Sequence, residues 1–229
     1  MSIIEIKNVF KTYNETSVPV HALNGINLKI GKGEFTAIVG PSGSGKTTLL
    51  NIIGGLDLPS KGDVFIEDVN LKNLSSRQLI DFRLHNIGFV FQAYNLIPVL
   101  TALENTEFIM ELQQVPKKER EQKAIRLLET VGIGDKKDHK PGQLSGGQQQ
   151  RVAVARALAS QPKYIIADEP TANLDSKATE ELLDLMRNMN KQYHTTFIFA
   201  THDQRVMDRA RRIVTIDDGK IISDEQTEK

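Results

Sequence analysis

Three stretches of this 229-residue chain carry residue types and spacings suited to phosphate chemistry. The segment GPSGSGKT, residues 40–47, fits the pattern G-x-x-x-x-G-K-[ST] between an apolar run and a helical one. Its glycines let backbone N–H groups curl around a phosphate without a Cβ in the way. Gly40, Pro41, Ser42, Gly43, Ser44, Gly45 and Thr48 then belong to the cradle. Lys46 reaches the β- and γ-phosphates, and the Thr47 hydroxyl ligates Mg²⁺. The run YIIADEP, 164–170, ends in Asp168 and Glu169. Asp168 suits the Mg²⁺ shell, and Glu169 suits a general base acting on water. An isolated Asp-Glu pair after a strand is usually a solvated turn; beside a phosphate loop the chemical reading is preferred.

His202 ends the run TFIFATH, and Gln92 follows IGFVF. Alone, each is an ordinary polar residue at a strand end. Beside the other two strand ends, His202 is assigned to the γ-phosphate or the attacking water. Gln92 is assigned to Mg²⁺ or that water, and to hinging the segment after it. His21, His85, His139 and His194 have no such setting and are expected to be surface or packing residues. Tyr13, expected just after the first strand, has a ring that could stack on a base or simply pack.

A second anion cradle is expected at LSGGQQQR, 144–151. Ser145 is placed as the N-cap of a helix, with Gly146 and Gly147 exposing N–H groups at the positive end of its dipole. Val154, Ala157 and Leu158 lie on one face of that helix. An ordinary capped helix does not explain two glycines, which weaken a helix start unless the backbone must approach something closely.

The elements that must position these groups follow from apolar periodicity. IIEIKNVF, HALNGINLKI, EFTAIVG and GDVFIEDVN are expected strands, and TTLLNII is a short helix stopped by Gly54-Gly55. From about Gln92 to Gln161 the pattern is helical. KYIIAD and TTFIFATH return to β on either side of the helix SKATEELLDLMRNMNKQ. RIVTIDDGKII is expected to be a hairpin, and SDEQTEK a frayed end. Strand–helix alternation argues for a parallel sheet, whose ligand sits beyond the carboxyl ends of the strands. Three such ends carrying phosphate chemistry point to one site.

Composition narrows the class. Twenty-nine basic residues balance 29 acidic ones, so charge does not suggest a nucleic-acid partner. With no Cys, disulfide frameworks and thiolate metal sites are excluded. No signal-peptide pattern opens the chain, and no apolar run has the length of a membrane span.

Taken in order, these motifs resemble the nucleotide-binding subunits of ABC transporters. The resemblance covers nearly the whole chain: an aromatic loop at Tyr13, Walker A at 40–48, a glutamine loop at Gln92, the signature at 144–150, Walker B at 164–169, a D-loop TANLD ending at Asp175, and the switch His202. FVFQAYNLIPVLTALEN and LSGGQQQRVAVARALA are most similar to the lipoprotein-releasing and macrolide-exporting group. TANLD differs from the commoner TGNLD by one small residue.

The resemblance implies an α/β fold: a P-loop NTPase core with a mostly parallel central sheet, an N-terminal antiparallel β subdomain and an inserted α-helical subdomain. The core would take 1–91 and 162–229, and the insertion 92–161. It further implies ATP and Mg²⁺ as cofactors and a homodimer in the ATP-bound state. Two copies pair head to tail, so that Ser145, Gly146, Gly147, Gln148 and Asp175 of one meet the nucleotide held by the other. The expected partner is an integral membrane permease subunit, with no nucleic acid. The expected location is cytoplasmic, peripheral on the inner (plasma) membrane. The segment from Gln92 to Pro98, with Leu96 and Ile97, is expected to line a groove for that partner. Export or extraction of a lipoprotein, peptide or drug-like substrate is the implied task. A mechanical or regulatory ATPase on a membrane partner is the alternative.

Overall fold

The strand ends singled out by the sequence lie side by side in a six-stranded sheet. The computed structural model describes residues 2–13 and 18–227. Strands β1 (Ser2–Tyr13), β2 (Val20–Gly31), β4 (Lys61–Ile66) and β5 (Val69–Asn70) form an antiparallel sheet in the order β2-β1-β4-β5. The larger sheet contains β3 (Phe35–Val39), β6 (Ile87–Phe91), β7 (Tyr164–Asp168), β8 (Thr196–Ala200), β9 (Arg212–Asp217) and β10 (Lys220–Gln226). Its order is β10-β9-β3-β8-β7-β6. All its neighbours pair parallel except the edge hairpin β9–β10.

Every residue of β3 and β8 is buried. Parallel strands covered on both faces need apolar side chains in succession, which is why FTAIV and TFIFA show no alternation. Their side chains still divide between the faces. Ile38, Ile166 and Ile198 join one core with Leu49, Leu50, Ile52 and Ile53 of α1 (Lys46–Ile53) and with β1 and β2. Phe35, Ile165, Phe197 and Phe199 join the other. There the Phe35 and Phe199 ring centroids are 4.6 Å apart. The buried Tyr164 hydroxyl donates to Ile53 O at 2.7 Å and ties β7 to the end of α1.

Helix α2 (Ser76–Asn86) precedes β6, and α3 (Ala102–Leu112), α4 (Lys117–Thr130) and α5 (Gly146–Ala159) fill the chain between β6 and β7. Helix α6 (Ser176–Tyr193) joins β7 to β8, and the short α7 (Gln204–Met207) leads to β9. Capping boxes start α2 at Ser75, α3 at Thr101 and α5 at Ser145. Val152, Val154, Ala157 and Leu158 of α5 are buried in the second core. The signature helix is therefore packed on the sheet as well as on α3 and α4.

Three expectations are corrected. Helix α2 has no counterpart in the sequence reading; only Leu79 of it is buried, so it lacks an apolar stripe. The Ser75-x-x-Gln78 box was its available signal. Most of SDEQTEK is not frayed: β10 runs to Gln226, because Arg212 grips both carboxylate oxygens of Asp224 at 2.7 Å. Glu228 and Lys229 lie outside the described residues. Tyr13 does not follow β1 but ends it, paired with Val20.

Candidate active site and a second anion cradle

Glycine geometry builds the phosphate loop. Gly40 (φ 150°) and Gly45 (φ 104°) adopt conformations that side chains disfavour. A Cβ on Gly40 would sit 2.0 Å from Ile216 O, and one on Gly45 would sit 2.5 Å from Ala22 O. The loop thus threads between β2 and β9. Ser44 O accepts from Gly219 N at 3.0 Å, which props it on the β9–β10 turn. Helix α1 begins at the loop with no side-chain cap, leaving its first N–H groups for another acceptor. The buried Ser44 Oγ likewise has no partner among the described residues. Lys46 Nζ lies across the loop, donating to Gly40 O and Pro41 O at 2.8 Å each.

The parallel register brings the other groups to this loop. Asp168 is level with Phe91 on one side and Ala200 on the other, and Ala200 is level with Ile38. The Thr47 hydroxyl consequently reaches Asp168 Oδ1, at 3.4 Å. Burial pushes the Asp168 carboxyl above its usual range and the Glu169 charge adds to this, while Thr47 and Lys46 oppose it. Glu169 turns off the end of β7 at φ 45°, its N–H donating to Ala200 O at 2.9 Å. Its Oε1 lies 2.7 Å from His202 Nδ1, and its Oε2 accepts from the Thr201 hydroxyl at 3.2 Å. Glu169 is recessed, with 19% of its side chain exposed against 76% for His202.

Gln92 is exposed, and its side chain makes no hydrogen bond among the described residues. Its carbonyl accepts from Asn173 Nδ2 at 3.0 Å, so its loop is tied to the TANLD segment. The Tyr13 hydroxyl donates to Asp57 Oδ2 at 3.1 Å, and Lys11 Nζ stands 4.9 Å from its ring centroid.

At the start of α5 the structure shows the helix N-cap expected at Ser145. Ser145 Oγ accepts from Gln148 N at 3.3 Å, and Gln148 Oε1 accepts from Ser145 N at 2.9 Å. The Gln148 side chain is therefore engaged in the cap, and Asp175 similarly caps α6 through Ala178 N at 2.8 Å. A Cβ on Gly146 would meet the Tyr94 hydroxyl at 2.8 Å, so a larger residue there would displace the Tyr94 side chain. Gly147 has more room, with Ala178 Cβ at 3.2 Å from such an atom. The phosphate loop rests on Ala22, Ile216 and Gly219; the start of α5 rests on Tyr94, Asn173 and Ala178.

Sequence reasoning missed Thr201, Asp57 and most of the lining of a groove of about 280 Å³, where Phe89, Phe91, Phe108, Ile109 and Arg156 join Asn95 of the 92–98 segment. The spacing of Phe89 and Phe91 on one face of β6 was the available signal; their rings stack at 5.6 Å. Leu96, expected in such a groove, packs against the second core instead. Ile97 is held through its backbone by Asn105, which both donates to it and accepts from it. A larger cleft of about 480 Å³ beside Arg126 and Tyr193 touches none of the phosphate-loop or strand-end residues.

The family model described as "ABC transporter" matches residues 23–172, from β2 through the phosphate loop and signature to the TANLD segment. The chain belongs to the ABC transporter family. This ABC protein is 45% identical over 228 residues to an uncharacterized ABC transporter ATP-binding protein, MJ0796, of Methanocaldococcus jannaschii, covering 98% of the chain and 97% of the relative. It is 42% identical to the lipoprotein-releasing system ATP-binding protein LolD of Legionella pneumophila, with 97% and 98% covered. It is 45% identical to the macrolide export ATP-binding/permease protein MacB of Brucella melitensis, over 97% of the chain but only 34% of that protein. A solved structure of the MJ0796 cassette, a post-hydrolysis dimer bound to ADP and Pi, superimposes with a TM-score of 0.91 at 43% identity, covering 99% of both chains. The protein is an ABC-type ATP hydrolase with the α/β fold of those cassettes. His202 and Asp175 lie beyond the family match and rest on the strand and helix positions above.

Proposed function

We propose that this ATPase subunit pairs head to tail with a second copy around two ATP–Mg²⁺ and drives a separate membrane permease in export or extraction. The observation that carries the reading is that the glycine loop before α1 and the capped start of α5 stand on different supports within one chain. The dimeric state of the MJ0796 cassette supports it, as do the relatives LolD and MacB for the transport role.

In this reading Lys46 exchanges Gly40 O and Pro41 O for the β- and γ-phosphates, and Tyr13 meets the adenine. Ser145 Oγ and the Gly147 N–H of the facing copy reach the γ-phosphate, with Gly146, Gln148 and Asp175 shaping that end. Closing a mostly open pair takes about 5.5 kcal/mol of differential binding. Charge-assisted hydrogen bonds at about 1.5–3 kcal/mol each are sufficient for it. Glu169 takes a proton from water as that oxygen attacks the γ-phosphorus in line, and the bond to the ADP oxygen breaks. Thr201 and His202 hold the two oxygens of Glu169, and His202 also faces the γ-phosphate. Loss of that phosphate removes the bridge between copies.

The Thr47 hydroxyl and Asp168 carboxylate are oxygen donors 3.4 Å apart and fit Mg²⁺, with Gln92 as a third. No group of three or more His, Cys, Asp or Glu side chains suited to a metal occurs among the described residues. Bound at Thr47 and Asp168, Mg²⁺ supplies neutralisation of the β- and γ-oxygens. No described helix is long and apolar enough to cross a membrane. On the strength of the relatives LolD and MacB, the reading places the chain on the cytoplasmic face of the inner membrane, with the Phe89–Phe108 groove receiving a permease segment and no nucleic acid involved.

The Glu169→Gln variant tests this reading. Expected are near-normal ATP binding, a fall in kcat of about 10²–10⁴, and an ATP-dependent dimer visible by size-exclusion chromatography. Near-normal turnover removes Glu169 as the base, and a lasting monomer with ATP removes the paired site.

A further inference from the structure

Gln150 is a polar side chain in the second turn of α5 with 0% exposure, and the paired-site reading gives it no role. Its Nε2 donates to Pro170 O at 2.8 Å and to Phe91 O at 3.4 Å. Both acceptors are carbonyls, so the amide orientation is set and the nitrogen must face them. The cost shows at the other end: the buried Oε1 has no donor among the described residues. A buried amide in which only the nitrogen is satisfied would be poor core design if packing were its purpose. The two carbonyls explain its retention. Pro170 directly follows Glu169, and Phe91 directly precedes Gln92.

The rest of α5 reinforces the same two segments. Arg156, two turns on, donates to Tyr94 O at 2.9 Å and to Asn95 O at 2.6 Å. At the start of the helix, Gly146 lies under the Tyr94 hydroxyl, which donates to Asn173 O at 3.4 Å. Asn173 closes the circuit onto Gln92 O. Among the described residues of α5, only Gln150 hydrogen-bonds to both segments from one side chain.

We propose that Gln150 is a positioning residue, through which the signature helix sets Glu169 and Gln92 against the nucleotide. A shift of α5 when its N-terminus meets the facing copy's γ-phosphate is carried by one rigid amide to the backbone beside each group. The inference rests on the paired-site reading and on Glu169 as base. It adds that hydrolysis is armed from the signature side through Gln150.

The test uses Gln150→Met, similar in length and apolar, beside Gln150→Asn, which keeps the amide but withdraws it by one methylene. The reference is Glu169→Gln. Melting temperature confirms folding, and Gln150→Asn supplies the readout if Gln150→Met does not fold. Expected for Gln150→Met are an unchanged KM for ATP, because the phosphate loop is untouched, and a kcat lower by about tenfold or more. An ATP-bound dimer should accumulate, as in Glu169→Gln, because the closing contacts survive while the base is misplaced. Gln150→Asn should move in the same direction by less. Unchanged kcat overturns the proposal. So does a low kcat without an ATP-induced dimer, which marks a merely weakened signature helix. Failure of the underlying reading appears separately, as turnover or lack of dimer in Glu169→Gln.

Discussion

The Tyr13 hydroxyl donates to Asp57, whose other carboxylate oxygen lies 2.6 Å from Lys11 Nζ. One acid thus anchors the aromatic end of β1 and the cation beside its ring. The Lys11 and Tyr13 contacts, with the Leu58 N–H, hold the Asp57 carboxyl below its usual range even though burial pulls the other way. Tyr13→Ala should therefore raise the KM for ATP by about 5- to 150-fold, the worth of one base–aromatic stack of about 1–3 kcal/mol. Tyr13→Phe keeps the ring, loses the tether, and should shift KM by less than about threefold. Steady-state ATPase assays separate the two; equal KM values for Tyr13→Ala and the parent protein would show that the ring only packs.

The groove beside β6 gives a prediction independent of catalysis. Phe108 is 36% exposed and lines it with Phe89 and Phe91. Phe108→Asp places a charge where a permease segment would bury apolar surface. Basal ATPase of the isolated protein should stay within about twofold, as for a surface substitution outside the site. Recovery of the permease with the tagged subunit from detergent should be lost. Undiminished recovery would move the docking surface elsewhere.

The edge hairpin supplies a pH-dependent term in stability. The Arg212 guanidinium holds the Asp224 carboxyl below its usual range. A group whose folded pKa is depressed contributes stability above its unfolded pKa, about 3.9 for Asp, and loses it as pH falls through the folded value. Asp224→Asn should therefore lower the melting temperature at pH 7. The gap to the parent protein should close as pH drops below about 4. A gap that is constant from pH 7 to pH 3 would show that the charge of Asp224 contributes nothing.

Much of the site was legible because backbone geometry and local hydrogen bonding decide it. GPSGSGKT can make an anion cradle only with glycines at strained positions, and Gly40 and Gly45 adopt them. Ser145-Gly-Gly-Gln148 encodes its capping box within four residues. Continuous apolar runs such as FTAIV and TFIFA marked strands buried on both faces. Where the residues lacked periodicity, as in α2, the element was not seen. Where a long-range partner mattered, as for Asp224 with Arg212, the end of the chain was misjudged.

Local residue order specifies the chemistry on offer: a phosphate loop, acid and histidine groups at strand ends, and a second helix start capped by Ser145. These depend on residues close together in the chain, whose conformations are set by sterics and short-range hydrogen bonds. Which of these groups meet is set by long-range packing. Parallel register set Asp168 beside Thr47, and the turn after β7 brought Glu169 to His202. Packing of α5 on the sheet drove Gln150 between Phe91 and Pro170, and withdrew Leu96 from the groove that Phe108 lines. Such contacts join residues tens of positions apart, and the burial and strand order that select them belong to the whole fold.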